Sequence, residues 1–160
     1  MKISSNKLKD IIDFAYQELE SLYEKNEIRS MIYSIIEHFT GYDLMKILTY
    51  KDELKVSESE LLKINFAIKD LKKERPLQQI LGYCEFLDVR IEVNQHVLIP
   101  RVETEEIVQR VIKENKGRKN LKIADICCGS GCIAIALKKA IPDANIYAYD
   151  ISEEALKKRK

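Results

Sequence analysis

Long apolar runs are missing from this sequence, and none approaches the roughly 20 residues that a helix needs to cross a bilayer. The first residues lead into a charged amphipathic segment, unlike the apolar stretch of a signal peptide. Excess charge is also missing, because 27 Lys and Arg oppose 26 Asp and Glu. These absences argue against a membrane protein and against general attraction to nucleic acid or anionic lipid. We expect a cytoplasmic protein that binds neither nucleic acid nor a membrane directly.

Glycine, proline and cysteine are scarce, with five, three and four residues. Together with 46% hydrophobic residues, this composition excludes a collagen-like or disordered chain. Three cysteines crowd into residues 127–132, unlike the spacing of a disulfide framework, so a reducing compartment fits best. Cys127, Cys128 and Cys132 have no C-x-x-C spacing and no nearby His, so we predict no metal site. Cys127 and Cys128 are better suited to fill loop positions where a bulky side chain would obstruct a ligand, and Cys132 to the buried face of the following helix.

Helical periodicity dominates the first half of the chain. Apolar residues recur at spacings of three and four over residues 8–22 and 28–39, which predicts two amphipathic helices. Gly41 stands where a left-handed residue would end the second helix. A short helical turn is expected to hold Leu44, Met45 and Leu48. The pattern indicates a small helical bundle.

The end of the helical region is marked by its own signals. Ser57 and Glu60 have the spacing of a capping box, which predicts the start of a further helix. Pro76 cannot donate a backbone hydrogen bond and restricts the residue before it, so that helix is expected to end there. We therefore predict a helical domain over residues 1–75.

After Pro76 the period changes to short runs of β-prone residues. Residues 84–87 and 89–93 lie on either side of Asp88 and predict a β-hairpin. Residues 97–99 are predicted to form another short strand before Pro100. We assign residues 76–100 to a linker that contains the hairpin.

The remaining residues alternate between helical and strand patterns. A helix is predicted over residues 103–115, followed by a strand at 122–126, a helix at 132–140 and a strand at 145–149. This βαβ order predicts a parallel sheet. Ser152 is expected to cap a further helix, and the basic run at residues 157–160 to be its solvated face.

The segment that joins the first of these strands to its helix is the strongest candidate site. Glycines there allow tight turns and close approach of a ligand. Asp150 follows Gly131 by 19 residues and ends the second strand, so a parallel sheet would bring its carboxylate beside the loop to accept both hydroxyls of a ribose. The candidate residues of the segment are Asp125, Cys127, Cys128, Gly129, Ser130 and Gly131.

Three interpretations of this loop remain open on the residues alone. Gly129, Gly131 and Ala134 satisfy a relaxed G-x-G-x-x-[GA] pattern, which also occurs in dinucleotide-binding proteins. A dinucleotide presents an anionic pyrophosphate, whereas S-adenosylmethionine is cationic at its sulfonium and ammonium groups, and Asp125 favours the cation. An ordinary strand-to-helix turn with two solvated carboxylates needs no ligand at all.

Three stretches, taken together, resemble the HemK/PrmC family of peptide chain release factor glutamine N5-methyltransferases. They are residues 75–82 (RPLQQILG), 97–105 (VLIPRVETE) and 125–131 (DICCGSG). The resemblance covers all 160 residues. It implies an α/β fold with an N-terminal helical bundle, a β-hairpin linker, and the start of a class I, Rossmann-like methyltransferase domain over residues 101–160 that is apparently truncated. The implied cofactor is S-adenosylmethionine.

The resemblance also implies roles for particular residues. Thr104, and with it Arg101, would lie near the methionine end of the cofactor, although both residues also suit an ordinary helix start. Val102 stands where proline is common in the family, and Cys127 and Cys128 replace a frequent glycine and threonine. The family's N-P-P-Y motif, which grips the glutamine amide, does not occur in this sequence. No catalytic residue is therefore assigned within this chain.

The resemblance implies methylation of the side-chain amide of a glutamine in a release factor. It also implies that the helical domain docks this release factor. We expect a monomer whose protein partner is that release factor. A non-catalytic module that binds the release factor or the cofactor is the main alternative. A dinucleotide-dependent oxidoreductase is the other, and the charge of Asp125 opposes it.

Overall fold

The structure, a computed structural model, describes residue 3 and residues 5–156. The chain divides into two compact units, Met1–Leu81 and Gly82–Lys160. This division places the residues before Gly82 with the helices and the predicted hairpin with the second unit. The functional ranges 1–75, 76–100 and 101–160 remain a prediction. No helix in the described part of the chain is both long and apolar enough to span a bilayer.

The described part of the first unit consists of helices and their connections, with an isolated antiparallel β-bridge between Lys7 and Lys55. Its helices are α1 (Leu8–Leu19), α2 (Lys25–Thr40), α3 (Leu44–Tyr50), α4 (Glu58–Leu71) and α5 (Leu77–Leu81). The apolar faces of α1, α2 and α4 pack together, and most of their Leu and Ile side chains are almost completely inaccessible to water. The predicted helical bundle is confirmed.

Two of the predicted helix signals act as expected, whereas α4 ends at Leu71, before the Pro76 that was predicted to end it. Gly41 ends α2 with a left-handed φ of 70°. The Ser57 hydroxyl accepts a hydrogen bond from the Glu60 backbone N–H, and the Glu60 carboxylate accepts one from the Ser57 backbone N–H. Pro76 has a role that the sequence analysis missed: its carbonyl accepts bonds from Gln79 and Ile80 and so opens α5.

The short helix α3 is confirmed, but most of its apolar side chains face water. Leu44, Met45 and Leu48 are 45%, 71% and 47% exposed, whereas Ile47 is buried. A helix of two turns can turn only one narrow face to a core, and here Ile47 occupies that face. Leu22 lies beyond the end of α1 and is likewise exposed, so the first apolar stripe is one residue shorter than its spacing indicates.

The second unit begins with the hairpin of β1 (Tyr83–Phe86) and β2 (Val89–Glu92). Leu87 and Asp88 form its two-residue turn, and both have positive φ, as a type I′ turn requires. The predicted strand at residues 97–99 is wrong. Asn94 starts a turn there, because its side chain accepts from the His96 N–H and its carbonyl accepts from the Val97 N–H.

The βαβ segment follows α6 (Val102–Asn115) and agrees with its predicted bounds. Strand β3 (Lys122–Ile126) leads into α7 (Cys132–Ala140), and β4 (Asn145–Tyr149) pairs with β3 in parallel, from Lys122 beside Asn145 to Ile126 beside Tyr149. Helix α8 (Glu153–Leu156) begins after Ser152, whose hydroxyl accepts from the Ala155 N–H. The predicted basic run at residues 157–160 lies outside the described residues. The α/β character of the chain is confirmed.

Candidate functional site

The parallel register of β3 and β4 brings the two candidate strand ends together. Asp125 lies beside Ala148, and Ile126 lies beside Tyr149. One step further, the backbone N–H of Cys128 donates to the Tyr149 carbonyl at 3.0 Å. The loop after β3 therefore starts directly against the carboxyl end of β4, which is where parallel sheets of this kind hold their ligands.

Asp150 is bound to this loop through its carboxylate. Its Oδ2 accepts a hydrogen bond from the Gly129 backbone N–H at 2.7 Å, and its Oδ1 accepts one from the Ser152 N–H at 2.9 Å. The closeness of Asp150 and the loop was predicted from the spacing. The bond to Ser152 was not considered, although Asp two residues before a helix-capping Ser is a recognisable turn pattern.

The loop backbone adopts the left-handed conformation at alternate residues. The φ values of Cys127, Gly129 and Gly131 are 62°, 50° and 77°. Glycine adopts this region at no steric cost, whereas a cysteine there is strained by its Cβ. The Gly131 N–H donates to the Cys128 carbonyl at 2.7 Å, so the chain folds tightly back before α7 begins. The loop residues Gly129, Ser130 and Gly131 are also small, so they take up little space at the strand ends.

Asp125 lies at the end of β3 and is 7% exposed. Its Oδ2 accepts a hydrogen bond from the Ala134 backbone N–H of α7 at 3.2 Å. From the sequence, this carboxylate is predicted to favour a cationic ligand. The structure places it in contact with the start of a helix, and its approach to a ligand stays a prediction.

Two of the three thiols of this region suit packing more than reactivity. Cys127 is exposed, whereas Cys128 and Cys132 are buried. Burial raises the pKa of Cys132 despite an opposing hydrogen bond to Ser130, and burial likewise raises the pKa of Cys84. Buried neutral thiols are poor nucleophiles and poor metal ligands. Among the described residues, no group of three or more His, Cys, Asp or Glu side chains could hold a metal ion.

Arg101 and Thr104 lie on another element of the second unit, the start of α6. Arg101 is the exposed N-cap residue, and its carbonyl accepts the Thr104 N–H at 3.0 Å. Thr104 is half-buried in the first helical turn. These contacts are those of a helix start, and the place of both residues beside a cofactor remains a prediction.

A cavity of about 670 Å³ lies between α7 and β4. It includes Gly131 and Ala134 but neither Asp125 nor Asp150, so it extends along the flank of the helix rather than over the loop. Both of its lysines are already bound to backbone carbonyls, Lys138 to those of Pro142 and Ala144 and Lys139 to that of Asp88. The cavity therefore borders the loop at Gly131 but does not include the carboxylate of Asp150.

Comparison with known proteins agrees with this geometry. Residues 103–160 match the family model described as methyltransferase small domain. A release factor glutamine methyltransferase of Flavobacterium psychrophilum is 43% identical over 144 residues, which cover 88% of this chain and 50% of that protein. Proteins of the same name from Bacteroides thetaiotaomicron and Streptococcus pneumoniae are 40% and 35% identical, over 91% and 94% of this chain and 51% and 52% of their own length.

The second unit thus belongs to the methyltransferase class of α/β domains, with its glycine loop at the carboxyl ends of parallel strands. The whole chain belongs to the family of release factor glutamine methyltransferases. The chain spans about half the length of the curated relatives it matches.

Proposed function

We propose that the protein containing this chain transfers a methyl group from S-adenosylmethionine to the side-chain amide nitrogen of a glutamine in a peptide chain release factor. The names of its relatives support both the reaction and the substrate. The observation that carries the proposal is the hydrogen bond between Gly129 and Asp150, which joins the glycine loop to the carboxylate at the end of the neighbouring strand.

The cofactor would bind across these two strand ends. Asp150 would accept the ribose hydroxyls at the strand end where its carboxylate already accepts hydrogen bonds from the Gly129 and Ser152 N–H groups. The loop would lie along the nucleoside with its small residues Cys127, Cys128, Gly129, Ser130 and Gly131. Arg101 and Thr104 would approach the methionine end, and Asp125, which accepts a hydrogen bond from Ala134 at the start of α7, would belong to the same site.

The sheet supports a larger, class I Rossmann-like domain in the whole protein. Ile126, Tyr147 and Tyr149 are 65%, 48% and 56% exposed on the two described parallel strands. Parallel strands normally have both faces covered. Since the relatives are about twice as long as this chain, we propose that further elements of the whole protein cover these side chains.

The chemistry requires positioning more than acid-base catalysis. When bound, S-adenosylmethionine supplies a methyl group on a cationic sulfur. The amide nitrogen of the glutamine forms the new bond to that methyl group, loses one proton, and leaves the sulfur as a neutral thioether. The residues of this chain would fix the ribose and the loop, so that the methyl group has one orientation. By family resemblance, an N-P-P-Y motif would orient the amide, and none of the present residues is assigned that role.

The helical unit would contribute the partner specificity. We propose that it docks the release factor, so that the glutamine reaches the strand ends of the second unit. No membrane or nucleic acid is needed for this reaction, and the balanced charge of the chain agrees with a protein substrate.

Mass spectrometry of a release factor tests the proposal directly. The protein expressed from the complete gene is incubated with S-adenosylmethionine and an unmodified release factor, and the glutamine-containing peptide is examined for one added methyl group. We expect modification that requires both reagents. Binding of both partners without methylation would instead indicate a non-catalytic module, and a rise in melting temperature with NAD but not with S-adenosylmethionine would indicate an oxidoreductase.

A further inference from the structure

A buried carboxylate requires compensation, and Asp125 is 7% exposed. Removing a charge from water costs several kcal/mol unless hydrogen bonds or dipoles replace the lost hydration. The groups that donate hydrogen bonds to the carboxylate therefore show which part of the protein it holds in place. For Asp125, one partner is the backbone N–H of Ala134, at 3.2 Å.

Ala134 lies in the first turn of α7, where backbone N–H groups have no partner within the helix. The N-cap residue of α7 is Gly131, and no side chain caps the helix from that position. Asp125 therefore supplies from β3 the acceptor that a capping side chain would otherwise provide. Its negative charge at the helix N-terminus is also favourable for the helix dipole.

The loop is thus fixed at several points. Asp125 ties the end of β3 to the first turn of α7, so both ends of residues 126–131 are held by one side chain. Asp150 holds the middle through Gly129. The left-handed residues Cys127, Gly129 and Gly131 lie between the two points at which Asp125 holds the chain.

We infer that Asp125 is a positioning residue of the cofactor site, acting through Ala134 and α7 rather than by contact with the ammonium or sulfonium group. This inference rests on the proposed function, since it concerns the same loop. It differs from direct recognition in one measurable respect. Loss of positioning weakens every ligand of the loop, whereas loss of a direct charge contact weakens only cationic ligands.

Affinity for two ligands separates these roles. S-adenosylmethionine is compared with 5′-methylthioadenosine, which keeps the nucleoside and the sulfur but has neither cationic group. Calorimetry on the protein from the complete gene is expected to show that Asp125→Ala weakens both ligands by the same factor, about tenfold. Asp125→Asn retains an acceptor oxygen and should weaken both less. Weakening of S-adenosylmethionine alone, with the neutral ligand within about twofold of wild type, would overturn the inference.

Amide hydrogen exchange gives a second readout that needs no ligand. Exchange of the Ala134 amide should be faster in Asp125→Ala than in wild type, while the Ile141 amide, bonded to the Leu137 carbonyl at the other end of α7, should be unchanged. Unchanged exchange at Ala134 would contradict the positioning role. If wild type binds neither ligand, the proposed function fails, and the Ala134 exchange rate still decides the role of Asp125.

Discussion

Gly129 and Asp150, 21 residues apart in the chain, are joined by a 2.7 Å hydrogen bond from the glycine N–H to a carboxylate oxygen. The bond forms because β3 and β4 are parallel and in register, so that their carboxyl ends coincide. It couples the shape of the loop to the position of the carboxylate. A ligand that binds one therefore finds the other already in place.

The stability of the second unit should depend on this carboxylate. Asp150→Ala removes the acceptors of the Gly129 and Ser152 N–H groups, and each lost bond costs about 1 kcal/mol. We expect the free energy of unfolding to fall by about 2 kcal/mol in denaturant titrations. Asp143→Ala, at an exposed position in the turn before β4, is the control and should change it by less than about 0.5 kcal/mol. Equal effects of the two variants would contradict the assigned bonds.

Cys127 should carry measurable backbone strain. Its φ of 62° costs a non-glycine residue about 1 kcal/mol, which glycine does not incur. Cys127→Gly relieves the strain but increases the freedom of the unfolded chain, so we expect a net change between about 0 and 1 kcal/mol in favour of the folded state. Cys127→Ala removes the thiol and keeps the strain. If glycine proved about 1 kcal/mol less stable than alanine at this position, the left-handed conformation would be wrong.

The capping box should stabilise α4. Ser57→Ala leaves the Glu60 backbone N–H without its side-chain acceptor, and loss of such a cap costs about 1 kcal/mol. Thermal unfolding of the chain should report this loss. Ser59→Ala, an exposed substitution inside the same helix, should be neutral or slightly stabilising because alanine is the better helix former.

Acid should weaken the same helix through Glu60. Hydrogen bonds from the Ser57 backbone N–H and, to a lesser degree, its hydroxyl lower the Glu60 pKa from its ordinary value of 4.5. Because the folded pKa lies below the unfolded one, the contribution is fully present above pH 4.5 and is lost as the pH falls through the folded value. Glu60→Gln cannot titrate, so its free energy of unfolding should change less between pH 5 and pH 3 than that of wild type. Parallel curves would argue against the bond.

The local patterns of this chain specified most of its fold. The bounds of β3, α7 and β4 could be predicted because each has a clear period and a polar or glycine boundary. The short α3 was predictable as a helix, but the exposure of Leu48 was not, since two turns do not define which face meets a core. The false strand at residues 97–99 shows the limit of β-propensity, because the hydrogen bonds of Asn94 decided the local conformation.

The candidate site could be located from sequence but not resolved into roles. Spacing alone placed Asp150 beside the loop. It could not show that the carboxylate of Asp125 is bonded to Ala134, because that contact depends on how α7 packs against β3. Arg101 and Thr104 were named from family resemblance, and their contacts in the structure are those of a helix start.

The most direct test of the central claim is calorimetric titration of S-adenosylmethionine into the protein from the complete gene, in wild-type and Asp150→Ala forms. Wild type should bind, Asp150→Ala should bind at least about tenfold more weakly, and Asp143→Ala should bind as wild type does. Wild-type affinity retained in Asp150→Ala, or no binding of S-adenosylmethionine by the wild type, would contradict this claim.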